Sequence, residues 1–167
     1  MSWWHNSGWG ICNKEIKRSD YEGDRRLTLK GEIRMEQYNC TVVDLGYYNG
    51  EKSVLIEVNE DSEEIEISTV IDGINILNSD ENYLVAYQKF RDQLLELGYG
   101  LQCNGSRINA IQSGMMSQCD KIYLVEMGKQ ALANQIVCIW DYADIDFFPD
   151  AKMQLEFADK WYECKKK

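Results

Sequence analysis

Proline and histidine each occur once in 167 residues, and 28 Asp and Glu outnumber 18 Lys and Arg. Each scarcity removes a class of function. A single histidine, His5, cannot build a zinc site that needs two, and no two cysteines stand at C-x-x-C spacing, so the usual zinc and dithiol redox clusters are missing. No G-x-x-x-x-G-K-[ST] or G-x-S-x-G run is present, which leaves a phosphate cradle or a nucleophile elbow without support. No metal and no cofactor is expected. The formal charge of −10 argues against nucleic acid, because a phosphate backbone is held mainly by clustered Lys and Arg. No segment reaches the roughly 18 apolar residues of a membrane span. The opening "MSWWHNSGWG" has no basic leader followed by an apolar run, so a cytoplasmic location is expected.

What is present suits one folded domain over residues 1–167. Apolar residues make up 44% of the chain, enough for a sizeable core. The six cysteines (Cys12, Cys40, Cys103, Cys119, Cys138, Cys164) are widely spaced and are expected to be thiols, with Cys138 and Cys164 acting as small buried hydrophobes.

Residues 26–35, "RLTLKGEIRM", alternate apolar and polar side chains, the period of a strand with one wet face. "TVVDLGYY" and "SVLIEVNE" flank Asn49-Gly50, a dipeptide that tolerates positive φ and marks a hairpin. "EIEIST" alternates again, giving a four-stranded antiparallel meander. Ser79 then offers a helix N-cap, with Asp80 and Glu81 in the first turn. Tyr83, Tyr87, Phe90, Leu94 and Leu97 follow at helical spacing up to Gly98. "KIYLVEM" and "QIVCIW" are continuously apolar and read as interior strands. Pro149 suits the first turn of a last helix, with Met153, Phe157, Trp161 and Cys164 as its buried stripe. The fold class expected is α+β: a curved, mainly antiparallel sheet with helices packed on one face.

Three stretches could carry function. "WWHNSGW" sets His5 among Trp3, Trp4 and Trp9, which suits a segment pinned to the domain by its aromatics better than a ligand pocket. "EVNEDSEEIE" puts six carboxylates, Glu57, Glu60, Asp61, Glu63, Glu64 and Glu66, into ten residues. With Val54, Ile56, Val58, Ile65 and Ile67 in the core, Glu57, Glu64 and Glu66 share the opposite face, and Glu60, Asp61 and Glu63 lie near the turn. Their mutual repulsion would be offset by a basic partner drawn in by the field. "DYADID" mixes Tyr142 with Asp141, Asp144 and Asp146 at a strand end, an interface-like composition. It lacks the glycine and terminal glutamate of a calcium loop.

The connection "CNGSRINAIQSGMM" supplies Gly105 and Gly114, which tolerate unusual backbone angles, and Arg107, which can fork onto a carboxylate. Gly98, Gly105, Arg107, Ser113, Gly114 and Met115, followed by "YLVEMGKQA" and "VCIWDYA", resemble a pattern over residues 98–146. That pattern belongs to immunity proteins of contact-dependent inhibition and other polymorphic toxin systems. The chain departs from it at Gln112, where proline is frequent, and at "MSQC", where a glycine pair is usual. The resemblance implies a non-enzymatic binder that neutralises a cognate, commonly basic, toxin domain. The loop itself reads as a structured connection, with Arg107 tied to a nearby carboxylate. Two other readings stay open. One is a small enzyme with carboxylate acid–base residues and Arg107 as an anion clamp; the other is a regulatory binding module without a toxin. Nothing in the sequence sets an oligomeric state.

Overall fold

A computed structural model describes residues 34–46, 50–60 and 63–165. The tryptophan-rich amino terminus, Cys12, Asp61 and most of the 26–35 stretch therefore lie outside the described residues. The fold is α+β, as the pattern of elements implies: a curled five-stranded antiparallel sheet, a small three-stranded sheet and two helices.

The large sheet runs in the order β4-β3-β2-β1-β5. Its first strand, β1 (Arg34–Asp44), is continuous through residues 36–40, where the sequence suggested a break. β2 (Glu51–Glu60) pairs with it, Tyr38 opposite Ile56 and Cys40 opposite Val54. The two strands pair up to Val43 opposite Glu51, and Asp44 donates its backbone N–H to the carbonyl of Gly50 at 2.9 Å; Asn49, half of the expected turn signal, lies outside the described residues. β3 (Ile65–Ile71) and β4 (Ile74–Asp80) form a tight hairpin. Asp72 at φ +49 and Gly73 at φ +76 make its two central residues, the left-handed pair that matches strand twist. "INILNSD" is thus a strand, and the Ser79 cap expected from the sequence does not form. The cap of α1 (Tyr83–Glu96) is Asn82, whose Oδ1 accepts from the N–H of Val85 at 3.1 Å, and no acid lies in the helix's first turn.

Alternation decides which side chains face inward. Tyr38, Cys40 and Val42 of β1, Val54, Ile56 and Val58 of β2, and Ile65, Ile67 and Ile71 of β3 are buried on the concave face. Tyr83, Tyr87, Phe90 and Leu94 of α1 fill that face, and Gly98, at φ +86, ends the helix as expected. Each fully buried aliphatic or aromatic residue contributes roughly 1.5–3 kcal/mol through lost apolar hydration. Trp140 closes the core, stacked on Tyr38 at 5.3 Å and edge-on to Tyr87 at 5.2 Å, with its indole N–H donated to the Tyr83 hydroxyl at 2.8 Å.

After α1 the chain adds β5 (Tyr99–Leu101) beside β1, then builds the small sheet β6-β7-β8 from Ala110–Ile111, Lys121–Leu124 and Ile136–Cys138. "KIYLVEM" and "QIVCIW" do supply strands, but short ones, and β8 is an edge of this sheet. The last helix, α2 (Ala151–Lys165), starts after Pro149 rather than including it, with Asp150 Oδ1 accepting from the N–H of Met153 at 2.8 Å. Its inward face is rotated from the expected stripe. Gln154 and Trp161 are buried, whereas Met153 and Cys164 are exposed. No disulfide joins the five described cysteines.

Candidate functional site

The convex side of the large sheet carries the residues that alternate with the core. Glu57 on β2 stands opposite Gln37 and Ser68; Glu66 on β3 stands opposite Asn59 and Ser79. The two carboxylates are therefore diagonal neighbours on one face, as the alternation implied. Glu57 is held by Gln37 Nε2 at 2.8 Å. Glu64 sits just before β3 and accepts from the Ser79 hydroxyl at 2.6 Å, which fixes it to the end of β4. Glu63 is exposed beside it. Glu60 differs. It shares the parity of Ile56 and Val58 and so belongs to the concave side of the sheet; burial is what chiefly raises the Tyr83 phenol there, with Asp120 and Glu60 adding to it.

Beside the acids, toward the β3–β4 turn, the convex face is apolar. Leu55, Val70 and Leu77 are 45%, 63% and 58% exposed, and with Glu57, Ser68 and Asn75 they line a shallow groove of about 440 Å³. Met35 is exposed at the β1 end of the same face. Sequence reading missed this stripe. Leu77 was hidden because β4 was not recognised, although Asp72-Gly73 between "STVI" and "INIL" is a hairpin signal as strong as Asn49-Gly50. One end of the sheet is locked by Lys52, whose Nζ lies 3.1 Å from Asp72 and 3.2 Å from the Tyr99 hydroxyl, while Tyr99 donates to Asp72. The Tyr99 hydroxyl, and then Lys52, hold the Asp72 carboxyl below its ordinary range.

The second acidic cluster lies elsewhere. Tyr142 forms an isolated bridge with Cys103, and its ring is 61% exposed; Asp144 and Asp146 are exposed and Asp141 is half-buried. Lost hydration pushes the Tyr142 phenol up, and Asp144 and Glu51 add to it. Glu51, not singled out from sequence, thus joins this cluster from the start of β2.

The connection resembling the immunity pattern is a structural joint. Gly105 has an ordinary φ; its need is space, since a Cβ there would lie 2.5 Å from Ile139 Cγ1 and 2.7 Å from the Tyr87 ring. Gly114 also has no positive φ, and a Cβ there would meet nothing within 4 Å. Arg107 meets no carboxylate among the described residues; its Nε reaches only Asn104 Oδ1, at 3.4 Å. The arginine that does brace this region is Arg91, fully buried on α1. It donates to Asp92 Oδ1 at 2.7 and 3.0 Å and to Gln154 Oε1 at 2.8 Å. Gln154 in turn donates to the carbonyls of Gly105 and Arg107 at 2.8 and 2.7 Å, and Asp92 accepts the N–H of Ala151 at the start of α2. Helical spacing placed Arg91 four residues after Tyr87, on the buried side, and could have flagged it.

Nor is the connection reactive. Tyr87 OH lies 2.5 Å from Ser106 Oγ and 3.0 Å from Cys103 Sγ, all three sealed in the core. Burial raises both the Cys103 thiol and the Tyr87 phenol, so both stay protonated. Further along, Ser113 is half-buried and Met115 is 99% exposed at the tip of a 3₁₀ turn. That turn is tied to α1 by Tyr83 N–H to the Ser117 carbonyl and by Gln112 Oε1 accepting from Leu84 N–H. Among the described residues no group of three or more His, Cys, Asp or Glu is arranged to hold a metal, and no helix is long and apolar enough to cross a membrane. No protein-family model matches the chain, and a search of curated proteins gives no match.

Proposed function

We propose that this protein is an immunity-type inhibitor that binds and neutralises a cognate basic toxin domain through the convex face of its large sheet. The observation that carries the reading is the juxtaposition on that face of an exposed apolar stripe, Leu55, Val70 and Leu77, with Glu57, Glu64 and Glu66. A solvated face has no need of three adjacent exposed aliphatics, and like charges beside them cost stability unless a partner answers them. An apolar centre with a charged rim is the anatomy of a specific protein interface. The resemblance of residues 98–146 to immunity proteins supports the toxin as partner, and the net charge of −10 supports a basic one.

The test is co-expression with a basic toxin domain encoded beside this protein's own gene, where one is found. Wild-type protein should co-purify with the toxin domain and protect the cells, and a variant carrying Glu57→Lys, Glu64→Lys and Glu66→Lys should do neither while keeping its thermal transition. Protection by that variant at the wild-type level would remove the convex face from the account.

A further inference from the structure

We propose that β4 is a strand-addition edge, at which an extended basic segment of the partner pairs with Asn75 to Leu77 and lays alternate side chains into the groove beside Leu77 and Val70. The proposal rests on the reading of the convex face as an interface and names the element that the partner would place there.

Among the described residues β4 ends the strand order, with β3 as its one neighbour. Its backbone orientation follows from the turn. In a two-residue hairpin the closing pair, here Ile71 and Ile74, is hydrogen-bonded, so alternation turns the groups of Ile74, Ile76 and Asn78 toward β3. Those of Asn75, Leu77 and Ser79 then point away from the sheet. Ser79 bears this out, because its carbonyl accepts from Lys89 Nζ at 3.3 Å, off the ladder. Among the described residues no such group answers the outward N–H and C=O of Asn75 and Leu77.

Protein edges are ordinarily protected by Lys, Pro or a bulge, since an open row of backbone donors and acceptors templates another strand. "INILNSD" contains neither Lys nor Pro, and its register with β3 runs unbroken from Ile71 opposite Ile74 to Ile65 opposite Asp80. Beside the edge lies the groove, so a strand added there would gain both a ladder and apolar contact for every second side chain. Charge selects the occupant. A second copy of this chain would set two acidic faces side by side, each on a chain of net charge −10, whereas a basic strand brings the opposite charge to Glu57 and Glu66.

The probe is a peptide of alternating lysine and valine, compared with a peptoid bearing the same side chains on backbone nitrogen, which has the charge but no N–H groups. The peptide should slow amide hydrogen exchange at Asn75 and Leu77 by about tenfold when saturating, and the peptoid should not. Leu77→Pro removes an outward N–H without touching the β3 ladder and should weaken the peptide by about tenfold. Equal binding of peptide and peptoid, or unchanged exchange at the two amides, overturns strand addition and leaves charge-based binding at this face standing. Unchanged peptide affinity in a Glu57→Lys, Glu66→Lys variant overturns the acidic-face reading itself.

Discussion

Two arginines and two glycines in and around one connection show how much a residue's role depends on what surrounds it. Arg107 looked like the brace by its place in the motif, but among the described residues its guanidinium reaches only Asn104, whereas Arg91 ties α1, α2 and the 103–107 segment together. Arg107→Ala should therefore change stability by no more than about 0.5 kcal/mol. Arg91→Ala leaves Asp92 and Gln154 without their cation and should cost about 3 kcal/mol or more, as expected for breaking a buried ion pair. Chemical denaturation of the two variants separates them; equal losses would contradict the assignment. The glycines follow the same logic. Gly105→Ala forces a methyl group against Ile139 and Tyr87 and should cost about 1–3 kcal/mol through overpacking, whereas Gly114→Ala should be nearly silent. A destabilised Gly114→Ala with an intact Gly105→Ala in thermal melts would reverse the argument.

At the scale of elements, the junctions between strands and α1 carry a pH dependence whose sign is fixed. Asp80, at the end of β4, is held below its ordinary pKa of 3.8 by Lys89 Nζ at 2.8 Å and by the N–H of Asn82. Asp72, in the β3–β4 turn, is lowered by Tyr99 and Lys52. A carboxylate whose folded pKa is depressed stabilises the fold fully above its unfolded value, and that contribution is lost as pH falls through the folded one. Melting temperature should thus decline as pH falls below about 4, and Asp80→Asn should flatten that decline rather than move it to higher pH. A decline in Asp80→Asn as steep as in wild type would show that Lys89 and Asn82 do not hold this carboxyl. The same elements show what the sequence could reveal. Period-two alternation placed Val54, Ile56, Val58, Ile65 and Ile67 in the core and Glu57 and Glu66 outside, because a half-buried sheet writes its register into every second residue. β4 was overlooked because "NSD" imitates a helix cap and "INIL" has little alternation, although Asp72-Gly73 before it signals a hairpin. The stripe on α2 was misread for a different reason: its buried Gln154 is polar, chosen to bond the carbonyls of Gly105 and Arg107, and hydrophobic periodicity cannot see such a residue.

For the molecule as a whole, the central claim is that an acidic, partly apolar sheet face recruits a basic partner. In the proposed complex charge, acting over a Debye length of about 8 Å at physiological salt, would govern encounter, while the exposed Leu55, Val70 and Leu77 stripe would be desolvated only on contact and govern residence. The two contributions are separable. Val70→Ser with Leu77→Ser should speed dissociation by about tenfold with little change in association, because it removes buried apolar area without altering charge. Slower association instead would place the apolar residues in the encounter step, contrary to this division. The most direct measurement is stopped-flow association of the basic toxin domain proposed as partner with wild type and with the Glu57→Lys, Glu64→Lys, Glu66→Lys variant across a salt series. The account predicts an on-rate about tenfold or more lower for the variant at low salt, converging with wild type as salt rises. Equal on-rates for both proteins at every salt concentration would contradict it.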